Sequence, residues 1–172
     1  EQLEIRNPVN GVTADLNQAK VALLEVPDRP GIASLIFGRL AEKGINVDVI
    51  SQSVHGGTIQ DVAFTLALDD LPQAKEIAEH LQAEIGAKGV VTDNQVAKVS
   101  IVGAGMINHP GTAAQMFAAL ADAGINIQMI STSEIKVSCV IERSRALEAI
   151  QVVHRQFALH EEAAQPVVLG SR

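Results

Sequence analysis

The sequence is short of several things at once. It holds one cysteine, no tryptophan and no tyrosine, and aromatic residues make up only 2% of its 172 positions. A single thiol, Cys139, excludes an intrachain disulfide and a multi-thiolate metal site, a usage that suits a reducing compartment. Cys139 lies in the apolar run Val137-Ser138-Cys139-Val140-Ile141, where a small buried hydrophobe is a better reading than a nucleophile. Scarce aromatics remove the stacking platform that nucleic-acid binding uses, and a formal charge of −7 removes the basic surface. No apolar run is long enough to span a bilayer, and residues 1–8 are charged and polar rather than leader-like. We therefore expect a cytoplasmic protein that partners neither nucleic acid nor membrane. What the chain does have is apolar substance, 47% hydrophobic residues, enough to bury a core.

That substance is arranged as a repeat. Pro30-Gly31, Phe37, Leu40-Ala41, Gly44-Ile45-Asn46 and Ile50-Ser51 return 80 residues later as Pro110-Gly111, Phe117, Leu120-Ala121, Gly124-Ile125-Asn126 and Ile130-Ser131. Upstream of the Pro-Gly pair the offset is 78, since Gly11-Val12, Asp15 and Lys20-Val21 answer Gly89-Val90, Asp93 and Lys98-Val99. The second repeat thus carries two extra residues in its 103–109 loop. Each repeat predicts a short apolar strand (21–26; 99–102), a loop ending in Pro-Gly, and a helix with an apolar stripe, Ile32, Leu35, Ile36 and Leu40 or Met116, Phe117 and Leu120. Gly44 and Gly124 stop these helices. A β-branched strand (45–53; 125–133), another strand (61–68; 135–141) and a second helix (71–85; 143–157) follow.

A fourth strand, 89–92, closes the first repeat, whereas 167–169 is a weak candidate for the second. The segment that matches 89–93 is the N-terminal 11–15, so we expect it to close the second unit. The expected fold class is α+β, two interlocked ferredoxin-like βαββαβ units, each an antiparallel four-stranded sheet with its helices on one face. The units would cover residues 16–93 and 94–172, the latter completed by a strand from 1–15. Uncovered sheet faces and edges make a homodimer the expected assembly.

Few residues suggest chemistry. The loop Val26-Pro27-Asp28-Arg29-Pro30-Gly31 leads into a helix start, whose free backbone N–H groups and positive dipole end favour a carboxylate. Gly31 and Ala33 would leave room for a ligand, and Asp28 could accept from an ammonium. Taken alone, Asp28 reads more simply as a cap on a helix begun by Pro30. Asn46 and Asn126 recur at one register on strands that disfavour Asn, and Gln52 shares a strand face with Asn46. The run Gly103-Ala104-Gly105 is a poor dinucleotide fingerprint, with Asn108 at the third glycine position. His55, His80, His109, His154 and His160 lack metal-ligand spacing, no phosphate-cradling loop appears, and Glu76, Glu79 and Glu84 read as a solvated helix face. The expectation is a non-catalytic chain with neither metal nor cofactor.

The Asp28-Arg29-Pro30-Gly31-Ile32 loop, the Gly44-Ile45-Asn46-Val47-Asp48 element, His109-Pro110-Gly111 and the run Asn126-Ile127-Gln128-Met129-Ile130-Ser131-Thr132-Ser133-Glu134-Ile135 resemble the ACT-domain pair of aspartate kinase. The resemblance covers roughly residues 10–160 and is most specific in Ile-Ser-Thr-Ser-Glu-Ile. It implies a regulatory subunit or region that binds threonine or lysine and feeds back on a separate kinase domain or subunit that phosphorylates aspartate. It implicates Asp28, Gly31, Ile32, Ala33 and Gln52 with Asn126 and Ile127 in one site. A second site would use Met106, His109, Gly111, Thr112 and Ala113 with Asn46, Val47 and Asp48, and Ser133 and Glu134 nearby. The second loop lacks the Asp-Arg of the first, so the first should be the stronger site. Nothing in the sequence resembles the amino-acid kinase domain, and residues 161–172 match nothing in the family; the first residue is not Met, which suggests processing or excision from a longer chain. Competing readings are the ACT regulatory subunit of acetolactate synthase, which would prefer valine, and a ligand-free oligomerisation scaffold.

Overall fold

The computed structural model describes residues 9–104, 106, 109–157 and 167–169. Residues 1–8, Gly105, Asn108, His160 and most of the 158–172 tail lie outside the described residues. The elements are β1 (Gly11–Pro27), α1 (Ile32–Glu42), β2 (Val47–His55), β3 (Ile59–Leu66), α2 (Leu71–Ile85), β4 (Gly89–Val102), α3 (Thr112–Asp122), β5 (Met129–Thr132), β6 (Lys136–Glu142), α4 (Ala146–Gln156) and β7 (Val167–Leu169). They form two compact units. One is contiguous, Asn17–Val96, and the other composite, Glu1–Leu16 with Ala97–Arg172.

In the contiguous unit the strand order is β2-β3-β1-β4, with β1 and β2 both antiparallel to β3. Alternation along the strands sends Val21, Leu23, Val62, Phe64 and Leu66 to one face, where they meet Ile32, Ile36 and Leu40 of α1 and Ala74, Ala78, Leu81 and Ile85 of α2. Phe37 sets its ring edge against Phe64, with centroids 5.5 Å apart. On the surface Arg39 of α1 grips both carboxylate oxygens of Glu84 on α2, at 2.8 and 2.9 Å.

The composite unit has the order β1-β4-β6-β5. Val12 and Ala14 of β1 enter its core beside Val99, Ile101, Val137, Cys139 and Ile141, under Met116 and Leu120 of α3 and Ile150 and Val153 of α4. The N-terminal segment is thus a working strand of this unit, β1 and β4 each give residues to both units, and the class is the α+β one the repeat predicts. Strand β7 adds a pairing absent from the four-strand expectation, running parallel to β1 from Thr13 to Asp15.

Other departures have local causes. The short strands expected at 21–26 and 99–102 are the ends of β1 and β4, which run for 17 and 14 residues. No Pro or Gly interrupts either strand internally, and the polar residues that look like turns are used: Asn17 Oδ1 accepts the Leu68 N–H at 3.0 Å and Asp93 Oδ1 the Gln95 N–H at 2.8 Å. Strand β5 begins only at Met129, not at 125, although the Gln128 N–H still donates to the Val140 carbonyl at 2.8 Å. A 3₁₀ turn, Arg143–Arg145, occupies the expected first turn of α4.

Candidate functional site

Both Pro-Gly pairs shape a helix entrance in the same way. Gly31 precedes α1 at φ 94°, ψ −14°, and Gly111 precedes α3 at φ 93°, ψ −5°, a left-handed conformation natural to glycine. Neither helix has a side-chain cap on its N-cap residue. The reading of Asp28 as the cap of α1 is therefore corrected: the chain turns at Gly31, leaving Asp28 exposed three residues upstream. What Asp28 offers the protein is its backbone N–H, which donates to the Thr58 carbonyl at 2.9 Å in the β2–β3 turn. Its carboxylate meets no partner among the described residues. The Ile32 N–H donates to the Arg29 carbonyl at 3.4 Å, and an unpaired carboxylate close to the next amides of a helix entrance can take a zwitterion, ammonium to the acid and carboxylate to the amides.

In the composite unit the entrance opens on a cleft of about 400 Å³ lined by Met106, His109, Pro110, Gly111, Thr112, Ala113, Thr132, Ser133, Glu134 and Val137. Seven of the residues expected for the second site come together here: Met106, His109, Gly111, Thr112, Ala113, Ser133 and Glu134. The volume falls within the range of about 300–1,000 Å³ usual for small-ligand pockets. Buried Met106 forms part of the wall, and the loop is tied by the His109 N–H to the Met106 carbonyl at 3.1 Å and by Thr112 Oγ1 to the His109 carbonyl at 2.8 Å. The opposite wall is the tight β5–β6 turn, where the Ser133 N–H donates to the Lys136 carbonyl at 2.7 Å and leaves Glu134 exposed. The second loop lacks an aspartate of its own, and Glu134 brings a carboxylate to its cleft. Thr132, Pro110 and Val137 also line it beyond the expected site residues; Pro110 stands in the Pro-Gly motif and Thr132 inside the Ile-Ser-Thr-Ser-Glu-Ile run, where proximity to Gly111 and Ser133 is the available signal.

The remaining expected residues divide between the units. Gly31, Ile32 and Ala33 sit at the α1 entrance of the contiguous unit, Ile32 buried and Ala33 exposed. Gln52 is exposed on β2 and its amide donates to Gln60 Oε1 at 3.0 Å. Asn46, Val47 and Asp48 belong to the contiguous unit, and Asn126 and Ile127 to the composite one. From residues 45 to 50 and 125 to 130 burial follows one pattern, with Ile45, Val49, Ile125 and Met129 inside and Asn46 and Asn126 exposed. Neither Asn side chain has a protein partner among the described residues, which disfavours a turn-forming role.

Among the described residues no group of three His, Cys, Asp or Glu side chains could hold a metal, and no helix is long and apolar enough to cross a membrane. Cys139 is fully buried, 4.0 Å from the Met116 sulfur, and burial pushes its thiol pKa up to about 12. That is the opposite of an activated nucleophile.

Comparison with known proteins gives the family. Residues 20–86 and 99–157 each match a model described as ACT domain. The chain is 43% identical over 166 residues to an aspartate kinase of Pseudomonas fluorescens, covering 96% of this chain and 40% of the relative. It therefore spans about two fifths of the length of such relatives. Among solved structures, a chain of aspartokinase alpha and beta subunits is 46% identical with a TM-score of 0.83, covering 88% of this chain and 99% of that one. The ligand-free regulatory subunit of aspartate kinase from Thermus thermophilus is 44% identical, with a TM-score of 0.83 over 87% of this chain and 99% of that one.

Proposed function

Since the chain belongs to the ACT-domain family, among the regulatory subunits and regulatory regions of aspartate kinase, we propose that it senses threonine, and also lysine, to mediate feedback inhibition of an aspartate kinase catalytic domain or subunit. The chain itself carries no catalysis, acts in the cytoplasm as a homodimer, and uses no cofactor. The observation that carries the reading is the cleft of the composite unit, where a helix entrance shaped by Gly111 faces Glu134 across about 400 Å³. The amino acid's carboxylate would lie on the first-turn amides of α3 and its ammonium beside Glu134. Thr112 and Ala113 would bound its side chain. In the contiguous unit Gly31, Ile32 and Ala33 would receive the carboxylate, Asp28 the ammonium, and Gln52 a further polar group. The resemblance assigns Asn126 and Ile127 to that site and Asn46, Val47 and Asp48 to the other; Asn46→Ala and Asn126→Ala test those assignments directly.

Inhibition follows only when the ligand binds one arrangement of the regulatory region better than another, so its effect is a population shift bounded by that difference in affinity. Thermal unfolding with added threonine, lysine or valine tests the reading. A ligand at one hundred times its Kd should add about 2.7 kcal/mol of stability. Threonine should raise the melting temperature, and both Asp28→Ala and Glu134→Ala should reduce the response. A response to valine alone would transfer the chain to a branched-chain regulatory role, and no response to any of the three would leave an oligomerisation scaffold.

A further inference from the structure

The Asp28 loop is held by a device that the second repeat replaces with plain backbone. Strand β1 pairs with β3 regularly to Leu23, slips, and resumes at Val26 opposite Gln60. Inside this bulge Glu25 has φ 48°, and it is the one positive-φ residue other than glycine among the described residues. A side-chain-bearing residue is costly there unless its surroundings enforce the conformation. Three contacts do so. The Glu25 N–H donates to Asp61 Oδ1 at 2.8 Å, Lys88 Nζ meets Glu25 Oε2 at 3.0 Å, and the Lys88 N–H donates to the Leu24 carbonyl at 2.9 Å. Asp61 is itself held by His55 Nε2, 3.0 Å from Oδ2. Three residues beyond the bulge the chain reaches Asp28.

The corresponding place in the second repeat, by the offset of 78, is Gly103. Its N–H also reaches across to the neighbouring hairpin, but to the backbone carbonyl of Ile135 at 2.9 Å. The first repeat therefore uses a carboxylate where the second uses a peptide oxygen, and has a glutamate at φ 48° where the sequence of the second has a glycine.

We infer that Asp61 is a positioning residue for the first ligand loop: its carboxylate holds the bulge at Glu25 and thereby sets where Asp28 and the α1 entrance stand. It touches no ligand. The role rests on the proposed amino-acid site for its functional consequence, while its effect on the loop can be read without any ligand. An acceptor carboxylate on one hairpin thus tunes the first loop independently of the second.

The test compares the whole chain as wild type, Asp61→Ala, Asp61→Asn and the double variant Asp61→Ala/Glu25→Gly. Amide hydrogen exchange reads residues 24–31, and calorimetric titration uses threonine. Asp61→Ala should speed exchange at Glu25 and Asp28 and weaken threonine binding by up to about tenfold, the ceiling set by the one charged hydrogen bond that holds the loop. Asp61→Asn keeps an acceptor oxygen in place and should lie between the two, guarding against a variant that fails to fold. Glycine takes φ 48° without strain, so Glu25→Gly should restore slow exchange and most of the affinity, a rescue that general destabilisation would not show. Unchanged exchange in Asp61→Ala overturns the inference, as does faster exchange with unchanged affinity for threonine. If the wild type binds no threonine, the proposed function falls, and exchange at residues 24–31 alone decides whether Asp61 sets the loop.

Discussion

Gly31 and Gly44 provide a matched pair that separates backbone strain from ligand contact. Both have positive φ, 94° and 71°, and at neither would an added Cβ find any atom within 4 Å. Alanine at either position therefore clashes with nothing in the protein, and its cost is conformational. A left-handed alanine costs roughly 1–2 kcal/mol, of which about 0.4–1 kcal/mol is offset by the reduced freedom of the unfolded chain. Gly31→Ala and Gly44→Ala should each lose about 1 kcal/mol in urea unfolding followed by circular dichroism, with unchanged m-values. For a chain of this size that is a fall in melting temperature of roughly 2–4 °C. Affinity for threonine should separate them: Gly31 lies at the α1 entrance, where the new methyl would occupy the ligand's space, whereas Gly44 lies beyond the far end of α1. Gly31→Ala should bind threonine at least about tenfold more weakly, since a blocked approach costs a hydrogen bond or more, and Gly44→Ala should bind as wild type does. Equal affinities in the two variants would refute placement of the ligand at Gly31, and an unchanged stability in both would refute the strain argument.

Asp61 should show a pH signature. The Glu25 backbone N–H first, then the His55 side chain, hold its carboxyl below the ordinary carboxylate value, against a weaker opposing effect of burial. A carboxyl with a depressed folded-state pKa adds stability above its unfolded value of about 3.9 and loses it as pH falls through the folded value. The stability gap between wild type and Asp61→Asn, measured by urea unfolding, should shrink below about pH 4 as the Asp61 carboxylate is protonated; a gap that widens there contradicts the reading. Cys139, buried and with its thiol pKa near 12, should resist alkylation in the native protein and react once the chain is unfolded in urea, so rapid native labelling would place it elsewhere. Arg145 donates to the carbonyls of Ala123 at 2.8 Å and Gly124 at 3.3 Å, closing the C-terminal end of α3 while also bonding Glu148. Arg145→Ala should cost about 1 kcal/mol in thermal unfolding, and no loss at all would mean that water serves those carbonyls equally well.

The fold was legible because repeats expose topology: the match of Gly11 to Asp15 with Gly89 to Asp93 says where the closing strand of the second unit originates. Strand lengths were not, since Asp15, Asn17 and Asp93 look like turn residues, and only the folded chain shows Asn17 taking the Leu68 N–H and Asp93 the Gln95 N–H of its own strand while the strands run on. Pairing of β7 with Thr13–Asp15 was equally hidden, because three apolar residues after a polar tail carry almost no periodic signal. At the site, the Pro-Gly pairs and the Ser-Thr-Ser-Glu run marked the cleft wall by type and spacing. The role of Asp28 did not follow from its position, because whether an Asp caps a helix depends on where the chain turns, and Gly31 turns it three residues later. Asp61 passed unnoticed although Asp is disfavoured in strands; that mismatch was the available clue, and its meaning required the register that brings it to the Glu25 amide.

An amino-acid sensor must bind its ligand saturably. Isothermal titration of the intact chain with threonine, run beside valine, tests that binding most directly. Threonine should give a saturable heat that Glu134→Ala and Asp28→Ala each diminish, and valine a weaker heat or none. Absence of any saturable heat with threonine and with lysine would contradict the sensing role.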